Sequence, residues 1–183
     1  MLVALIIPFM HKMDRKEALE AWKETLVQIK PAAVALFFAL GMTYILMNSG
    51  AATNTDSMLI VMAKTAASLA GKAWYFVASI VGVLGSFVSG SATVSDIMFG
   101  ALQFSAAKEV GIPVTAVLAL QTIGAAAGNM ICVHNVVAVL TTVGLVGKEG
   151  KIIKNNLLIA ISYGLISGVF AILLIKMFMP NLF

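Results

Sequence analysis

Residues 82–96 interrupt one of the most apolar parts of the chain. The segment contains five hydroxyl side chains, three glycines and an acid: Ser86, Ser89, Ser91, Thr93, Ser95, Gly82, Gly85, Gly90 and Asp96. In a bilayer, every backbone polar group needs a partner within the protein because hydrocarbon offers none. The interruption therefore restricts the fold to arrangements in which this segment is buried in protein or lines a cavity.

The composition places this segment in a membrane. Hydrophobic residues make up 61% of the 183 residues, charged residues make up 11%, and the mean hydropathy is +1.01. A soluble chain of this length cannot bury so much apolar surface in one core, whereas lipid can cover it. The net charge of +4 is small and the basic residues are scattered, which argues against a nucleic-acid partner. The single cysteine, Cys132, excludes a disulfide within the chain.

Two apolar segments flank the interruption, and both are too short to cross a bilayer. As helices, residues 73–88 and 94–107 reach about 20–25 Å, whereas the hydrocarbon core is about 30 Å thick. Short segments separated by glycine and serine are typical of a re-entrant hairpin, in which the chain returns to the side from which it entered. The sequence therefore predicts a re-entrant hairpin at 73–107 with its tip at mid-membrane.

The first third of the chain predicts two surface helices and one spanning helix. Residues 11–30 are rich in charge but carry apolar side chains at helical spacing, namely Leu19, Trp22, Leu26 and Ile29. This pattern is typical of an amphipathic helix at a membrane interface. Pro31 opens an uncharged segment, 31–47, that is long enough to span. Residues 55–70 predict a second interfacial amphipathic helix.

The remaining apolar segments predict a discontinuous helix and a plain spanning helix. Residues 114–146 are too long for one straight span and are interrupted by 124–130 and by His134 and Asn135. A discontinuous helix fits this pattern better than an ordinary span. Residues 157–179 predict the last spanning helix.

The distribution of lysine and arginine favours the hairpin over a single crossing at 73–107. Basic loops concentrate on the cytoplasmic side of a membrane protein. With a hairpin, eight basic residues lie on one side and four on the other (Lys64, Lys72, Lys108 and Lys176); a single crossing divides them seven to five. The favoured topology places the loops 11–30 and 147–155 in the cytoplasm.

The two interruptions offer complementary chemistry for a small anion. A helix that begins near Ser91 points its positive dipole end at the membrane centre, where it favours a carboxylate. A hairpin tip that faces a discontinuous helix is the common binding geometry of secondary transporters. The candidate substrate-binding residues are Ser89, Gly90, Ser91, Thr93, Ser95, Gly128 and Asn129. Asp96 and His134 are the candidates for proton coupling, since an ionisable group inside a membrane is a functional hypothesis by default and histidine exchanges protons near neutral pH.

Each candidate also has a purely structural interpretation. Serine in a membrane helix often bonds the carbonyl four residues earlier, and small residues often only allow helices to pack closely. Asp96 can cap the helix that follows it, and His134 can bond a neighbouring helix. The sequence leaves these alternatives open.

Three motifs resemble the C-terminal part of the L-lactate permease family. They are residues 87–99, 124–137 and 143–150, in that order, and the resemblance extends over essentially the whole chain. It implies uptake of lactate, and often glycolate, together with protons across the cytoplasmic membrane of a prokaryote. It also implies a relationship to the ion transporter superfamily, which is built from two inverted repeats. Where that superfamily carries Ser-Asn-Thr at a hairpin tip, this chain has Ser91-Ala92-Thr93, which argues against a sodium site.

The resemblance also predicts how much of a permease this chain represents and which partners it has. Because such permeases are two to three times longer, we expect this all-α membrane chain, residues 1–183, to be one C-terminal repeat that requires the missing N-terminal half. The expected partners are a small carboxylate such as lactate, protons, membrane lipid and possible further copies of the chain. We expect no nucleic acid, cofactor, metal or catalytic residue.

Three other functions compete with the lactate carrier. One is a carrier for another small organic anion, such as glycolate or a dicarboxylate. The second is an intramembrane serine protease, although the Gly-x-Ser-Gly sequence typical of such enzymes is absent around Ser89. The third is a membrane subunit that transports nothing.

Overall fold

The computed structural model describes residues 14–51, 55–145 and 147–178 of the chain. Within the first helix, it describes only the backbone of residues 28, 29, 31–33, 35, 36, 39 and 40. By its internal contacts the chain forms two compact units, Met1–Gly41 and Met42–Phe183. The described residues are helical with no strand, which confirms the predicted all-α class.

The first helix, α1, runs without interruption over Arg15–Asn48. The sequence predicts separate segments at 11–30 and 31–47, whereas the structure has one helix that continues through position 31. Alanine and leucine dominate the residues that follow the proline and are strong helix formers, and prolines are tolerated inside membrane helices. Leu19, Trp22 and Leu26 are all exposed.

Six further helices form the second unit. They are α2 (Met58–Ala70), α3 (Trp74–Ser89), α4 (Ala92–Val110), α5 (Val114–Gly128), α6 (Val133–Thr142) and α7 (Glu149–Phe178), and a 3-10 turn, Gly71–Ala73, joins α2 to α3. Three helical segments of the described chain are long and apolar enough to cross a membrane: Met58–Ser89, Val114–Thr142 and Glu149–Phe178. The chain is thus an all-α membrane protein with several possible spans.

Helices α3 and α4 form an antiparallel helical hairpin with a tip of two residues. Gly90 ends α3 in the left-handed conformation, with a φ of 71°, and Ser91 is the N-cap of α4. Near the tip, Ser95 Oγ donates to the Gly82 carbonyl at 3.1 Å. At the base, Trp74 Nε1 donates to Gln103 Oε1 at 2.9 Å. The predicted arms at 73–88 and 94–107 therefore lie side by side.

Helix α5 packs against the hairpin, parallel to α3, and glycines set the spacing between these two helices. A Cβ at Gly82 would collide with the Gln121 carbonyl, one at Gly124 with the Ser79 carbonyl, and one at Gly128 with the Val83 carbonyl. Close approach through small residues is a common way for membrane helices to associate. Gly124 and Gly128 thus serve helix packing, and the chain leaves the helix only after Gly128.

A chain of buried polar side chains also ties α5 to both arms of the hairpin. Gln103 Nε2 donates to Gln121 Oε1 at 2.8 Å and to the Ala78 carbonyl at 3.3 Å. Gln121 Nε2 donates in turn to Ser95 Oγ at 3.1 Å. All three polar side chains are at most 1% exposed. An amide without a hydrogen-bond partner costs free energy in hydrocarbon and in an apolar core. These bonds therefore hold the three helices in one register.

Candidate functional site

The tip of the hairpin meets the interruption between α5 and α6. The Cα of Gly90 lies directly against the imidazole of His134, which belongs to the first turn of α6. Within the segment 114–146, for which the sequence predicts a discontinuous helix, the structure has α5 and α6 separated by residues 129–132, and residue 146 lies outside the described residues. We call the meeting point of Gly90, His134 and residues 129–132 the junction.

Two helices begin at the junction. Ser91 Oγ accepts a bond from the Val94 N–H at 3.4 Å and so caps α4. The N-cap of α6 is Cys132, and its side chain makes no capping bond. Because the first N–H groups of a helix have no partner within it, both helix starts present positive partial charge at the junction. This electrostatic environment favours a small anion.

The serines and threonine of the tip occupy different environments. Ser89 Oγ donates to the Gly85 carbonyl at 2.7 Å, which is the local bonding that serine often shows in helices. The backbone N–H of Ser91 donates to Ser89 Oγ at 3.4 Å, and Thr93 is exposed. Ser95 is fully buried between the helices, away from the tip surface. Ser89, Ser91 and Thr93 are therefore the hydroxyl residues near the junction.

The polar residues of the interruption contact the last turns of α3. Ser86 Oγ lies 2.8 Å from Asn129 Oδ1 and donates to it, and Ser86 is fully buried. Asn135 Nδ2 donates to the Asn129 carbonyl at 3.3 Å. Gly128 faces Val83 and Ser86 of α3. Ser86 is thus a further polar residue next to the junction; it belongs to the hydroxyl cluster of 82–96, which is the signal that points to it.

The two candidate proton carriers lie in separate places. His134 is exposed, and its Nδ1 lies 3.1 Å from Cys132 Sγ. Asp96 accepts a bond from Thr122 Oγ1 on α5 at 3.0 Å through Oδ2, while its buried Oδ1 has no partner among the described residues. Asp96 is thus bound to α5 rather than placed at the tip.

The described residues contain no cluster of three or more His, Cys, Asp or Glu side chains that could hold a metal ion. A cavity of about 170 Å³ lies beside the junction. Residues from the interruption, α6 and α7 line it: Asn129, Met130, Asn135, Val136, Val139, Leu140, Ile152 and Asn156. Asn129 therefore faces α3 through its side-chain oxygen and also borders this cavity.

Binding sites of secondary membrane transporters are commonly formed by discontinuous helices. The comparison with family models identifies the carrier class more closely, because the L-lactate permease model matches residues 1–178. The chain belongs to the L-lactate permease family, as the resemblance of its three motifs predicts. No solved structure gives a significant match.

The bacterial relatives of this chain are named L-lactate permeases or a glycolate permease. A Haemophilus influenzae protein named "Putative L-lactate permease" is 38% identical over 176 residues, which are 96% of this chain and 32% of that protein. The glycolate permease GlcA of Escherichia coli is 27% identical over 170 residues, 91% of this chain and 29% of the relative. The L-lactate permease of Escherichia coli K12 is 29% identical over 160 residues, 85% of this chain and 28% of the relative. The chain thus spans about 30% of the length of the relatives it matches.

The names of these relatives describe permeases rather than enzymes, which agrees with the predicted class. Together with the three long apolar helical segments, they identify the chain as part of a multi-pass protein of the cell membrane.

Proposed function

We propose that this chain forms one repeat of a proton-coupled carrier for short 2-hydroxy carboxylates, with L-lactate as the leading substrate. The observation that carries the proposal is the junction, where the hairpin tip at Gly90 contacts His134 and where α4 and α6 both begin. Two helix starts can hold a carboxylate through backbone N–H groups without a cationic side chain. Ser89, Ser91, Thr93 and Asn129 add hydrogen-bonding groups around that position.

The hairpin fits a re-entrant position because its tip ends well inside the helical unit. Beyond His134, which contacts the tip, α6 continues to Thr142 for about 12 Å at 1.5 Å per residue. The first turns of α7 pack along this part of α6 and carry Lys151 and Lys154. The cations Lys72, Lys108 and Lys176 lie at the opposite end, at the base of the hairpin. This separation supports a hairpin that returns to its own side of the membrane.

Transport requires more protein than this chain supplies. The relatives are about three times as long, and a two-repeat carrier alternates access by moving one repeat or bundle against another. We therefore propose that α3, α4 and α5 move as a body against an N-terminal repeat of the same permease. Asp96 or His134 would carry the coupled proton in this scheme.

The test is lactate uptake by a chimera that carries this chain in place of the matching third of the Haemophilus influenzae relative. Ser91→Asn and Ser91→Asp form a matched pair, since both side chains are good N-caps and only the second adds a negative charge. We expect the chimera to take up labelled L-lactate. The Ser91→Asn variant should retain this uptake, whereas the Ser91→Asp variant should lose it, because its carboxylate repels the anion. Equal uptake by both variants would exclude an anion at the start of α4.

Glycolate is a second candidate substrate, since one relative is named a glycolate permease. Competition for uptake of labelled lactate by unlabelled glycolate, L-lactate and malate would rank these acids. If the chimera accumulates neither labelled lactate nor labelled glycolate, the alternative of a membrane subunit without transport is favoured.

A further inference from the structure

The cavity beside the junction carries a chemistry that differs from that of the tip. Three asparagines, Asn129, Asn135 and Asn156, line it from the interruption, from α6 and from α7. The rest of its wall is apolar, and none of its lining residues is charged. We call this space the amide cavity.

Part of the hydrogen-bonding capacity of these amides is unused. Asn129 Oδ1 accepts from Ser86 Oγ, and Asn135 Nδ2 donates to the Asn129 carbonyl. Within the described ranges, the Asn156 side chain forms no hydrogen bond to protein, and neither does Asn129 Nδ2 or Asn135 Oδ1. The cavity wall therefore offers both donors and an acceptor to an occupant.

The volume and polarity of the amide cavity restrict its occupant. The cavity volume of about 170 Å³ is well below that of pockets for drug-sized ligands, which start at about 300 Å³. Amide N–H groups can bind one carboxylate or a hydroxyl, while Val136 and Leu140 can contact a short alkyl group. A second carboxylate would find no opposite charge, and burying an unpaired charge is costly. The cavity thus suits a small monocarboxylate with a hydroxyl better than a dicarboxylate.

The amide cavity lies between the basic end of the unit and the junction. Ile152 and Asn156 belong to the first turns of α7, where Lys151 and Lys154 are exposed. On its other side, Asn129 bonds Ser86, which is one turn before the hairpin tip. The lysines attract small anions to this end of the unit, and an anion that moves between them and the junction would pass the cavity.

We propose that the amide cavity is a second binding site for short 2-hydroxy monocarboxylates, on the path between the basic surface and the junction. This proposal deepens the proposed function and rests on it for the identity of the substrate. The asparagines act as substrate-binding residues, with Asn156 as the one whose side chain has no other partner among the described residues.

The experiment measures the labelling of a cysteine at the cavity wall in the full 183-residue chain, reconstituted in lipid nanodiscs. Val139→Cys places the thiol in the lining, and Val137→Cys is the matched control on α6, exposed but outside the cavity. The native Cys132 is 1% exposed, so the parent chain supplies a low background for a small methanethiosulfonate reagent. L-lactate, propionate and malate are compared as protecting ligands.

We expect L-lactate to slow the labelling of Val139→Cys and to leave that of Val137→Cys unchanged. Propionate, which lacks the hydroxyl, should protect less, and malate should not protect. Adding Asn156→Leu should raise the lactate concentration needed for half-protection by about tenfold, since one bond to a charged ligand is lost. Asn155→Leu, at the exposed neighbouring position, should leave it unchanged.

The outcomes separate this site from the proposed function. If lactate does not protect Val139→Cys, or if Asn156→Leu leaves protection unchanged, the second site is wrong even where the chimera takes up lactate. Protection by malate equal to that by lactate would also overturn it. If lactate protects the cysteine but the chimera shows no uptake, the cavity binds the acid and the transport proposal fails.

Discussion

The Cα of Gly90 lies against the imidazole of His134 and so joins the tip of the hairpin to the first turn of α6. Two independent constraints require glycine at this position. A Cβ would overlap the imidazole ring, and the φ of 71° is one that residues with a side chain rarely adopt. The contact places the imidazole of His134 next to the starts of α4 and α6.

Replacement of Gly90 by alanine should therefore destabilise the chain. The left-handed conformation and the displaced imidazole together should lower the free energy of unfolding by about 1–3 kcal/mol. Denaturant unfolding of the purified chain in detergent, followed by circular dichroism, measures this change. Gly100→Ala is the control, because a Cβ there meets nothing within 4 Å. Equal stability of the two variants would contradict the close contact at the tip.

The spacing of α3 and α5 gives a second prediction. Gly124→Ala places a methyl group against the Ser79 carbonyl, so the two helices must move apart. We expect a loss of about 1–3 kcal/mol in the free energy of unfolding, as is typical of overpacked cores. Gly150→Ala on α7 points into open space and should change stability by a few tenths of a kcal/mol. A Gly124→Ala variant as stable as Gly150→Ala would show that the helices are not held together at this contact.

The sequence predicts the hairpin and the interruption because both follow from local properties. The arms predicted at 73–88 and 94–107 compare with helices at Trp74–Ser89 and Ala92–Val110. Segment length and the clustering of glycine and serine predict the positions of the two arms and the tip, and neither depends on contacts between distant residues. By contrast, the helix boundary predicted at Pro31 depends on how one proline is accommodated, and there the structure continues the helix.

The roles of individual side chains could not be predicted in the same way. Ser86, Ser89 and Ser95 belong to one short segment, yet Ser86 bonds Asn129, Ser89 bonds its own helix and Ser95 bonds Gln121. The register between α3, α4 and α5 decides which hydroxyl points where, and that register is a tertiary property. The amide cavity likewise combines residues from three parts of the chain, so no local sequence pattern predicts it.

The buried pair of Gln103 and Gln121 gives a third prediction. Gln103→Leu removes the side-chain partner of Trp74 Nε1 and of the Ala78 carbonyl, and Gln121→Leu removes the acceptor of Gln103 Nε2 and the donor to Ser95 Oγ. Each single change should cost about 1–3 kcal/mol of unfolding free energy. The double variant should cost less than the sum, with a coupling energy of about 0.5–1.5 kcal/mol in a double-mutant cycle.

The control for this cycle pairs Gln103→Leu with Thr115→Val, at an exposed position on α5. Those two changes should be additive within about 0.5 kcal/mol. Additivity in the Gln103 and Gln121 cycle as well would mean that the two amides do not stabilise the bundle through each other.

The fourth prediction distinguishes the two candidate proton carriers. Asp96→Asn keeps an oxygen that accepts the bond from Thr122 Oγ1 and removes the ionisable group, so the helix contact survives while proton exchange at this position is lost. If Asp96 carries the coupled proton, the chimera with Asp96→Asn should bind lactate, lose the dependence of uptake on external pH and stop alkalinising the medium during uptake. His134→Gln should then leave the pH profile of uptake unchanged. The reverse pattern assigns the proton to His134, which touches the tip through Gly90 and so would link protonation directly to the anion site.

Thr122→Val controls for loss of the hydrogen bond alone and should retain pH-dependent uptake. A chimera in which Asp96→Asn and His134→Gln both keep the parent pH profile would remove both residues from the coupling mechanism.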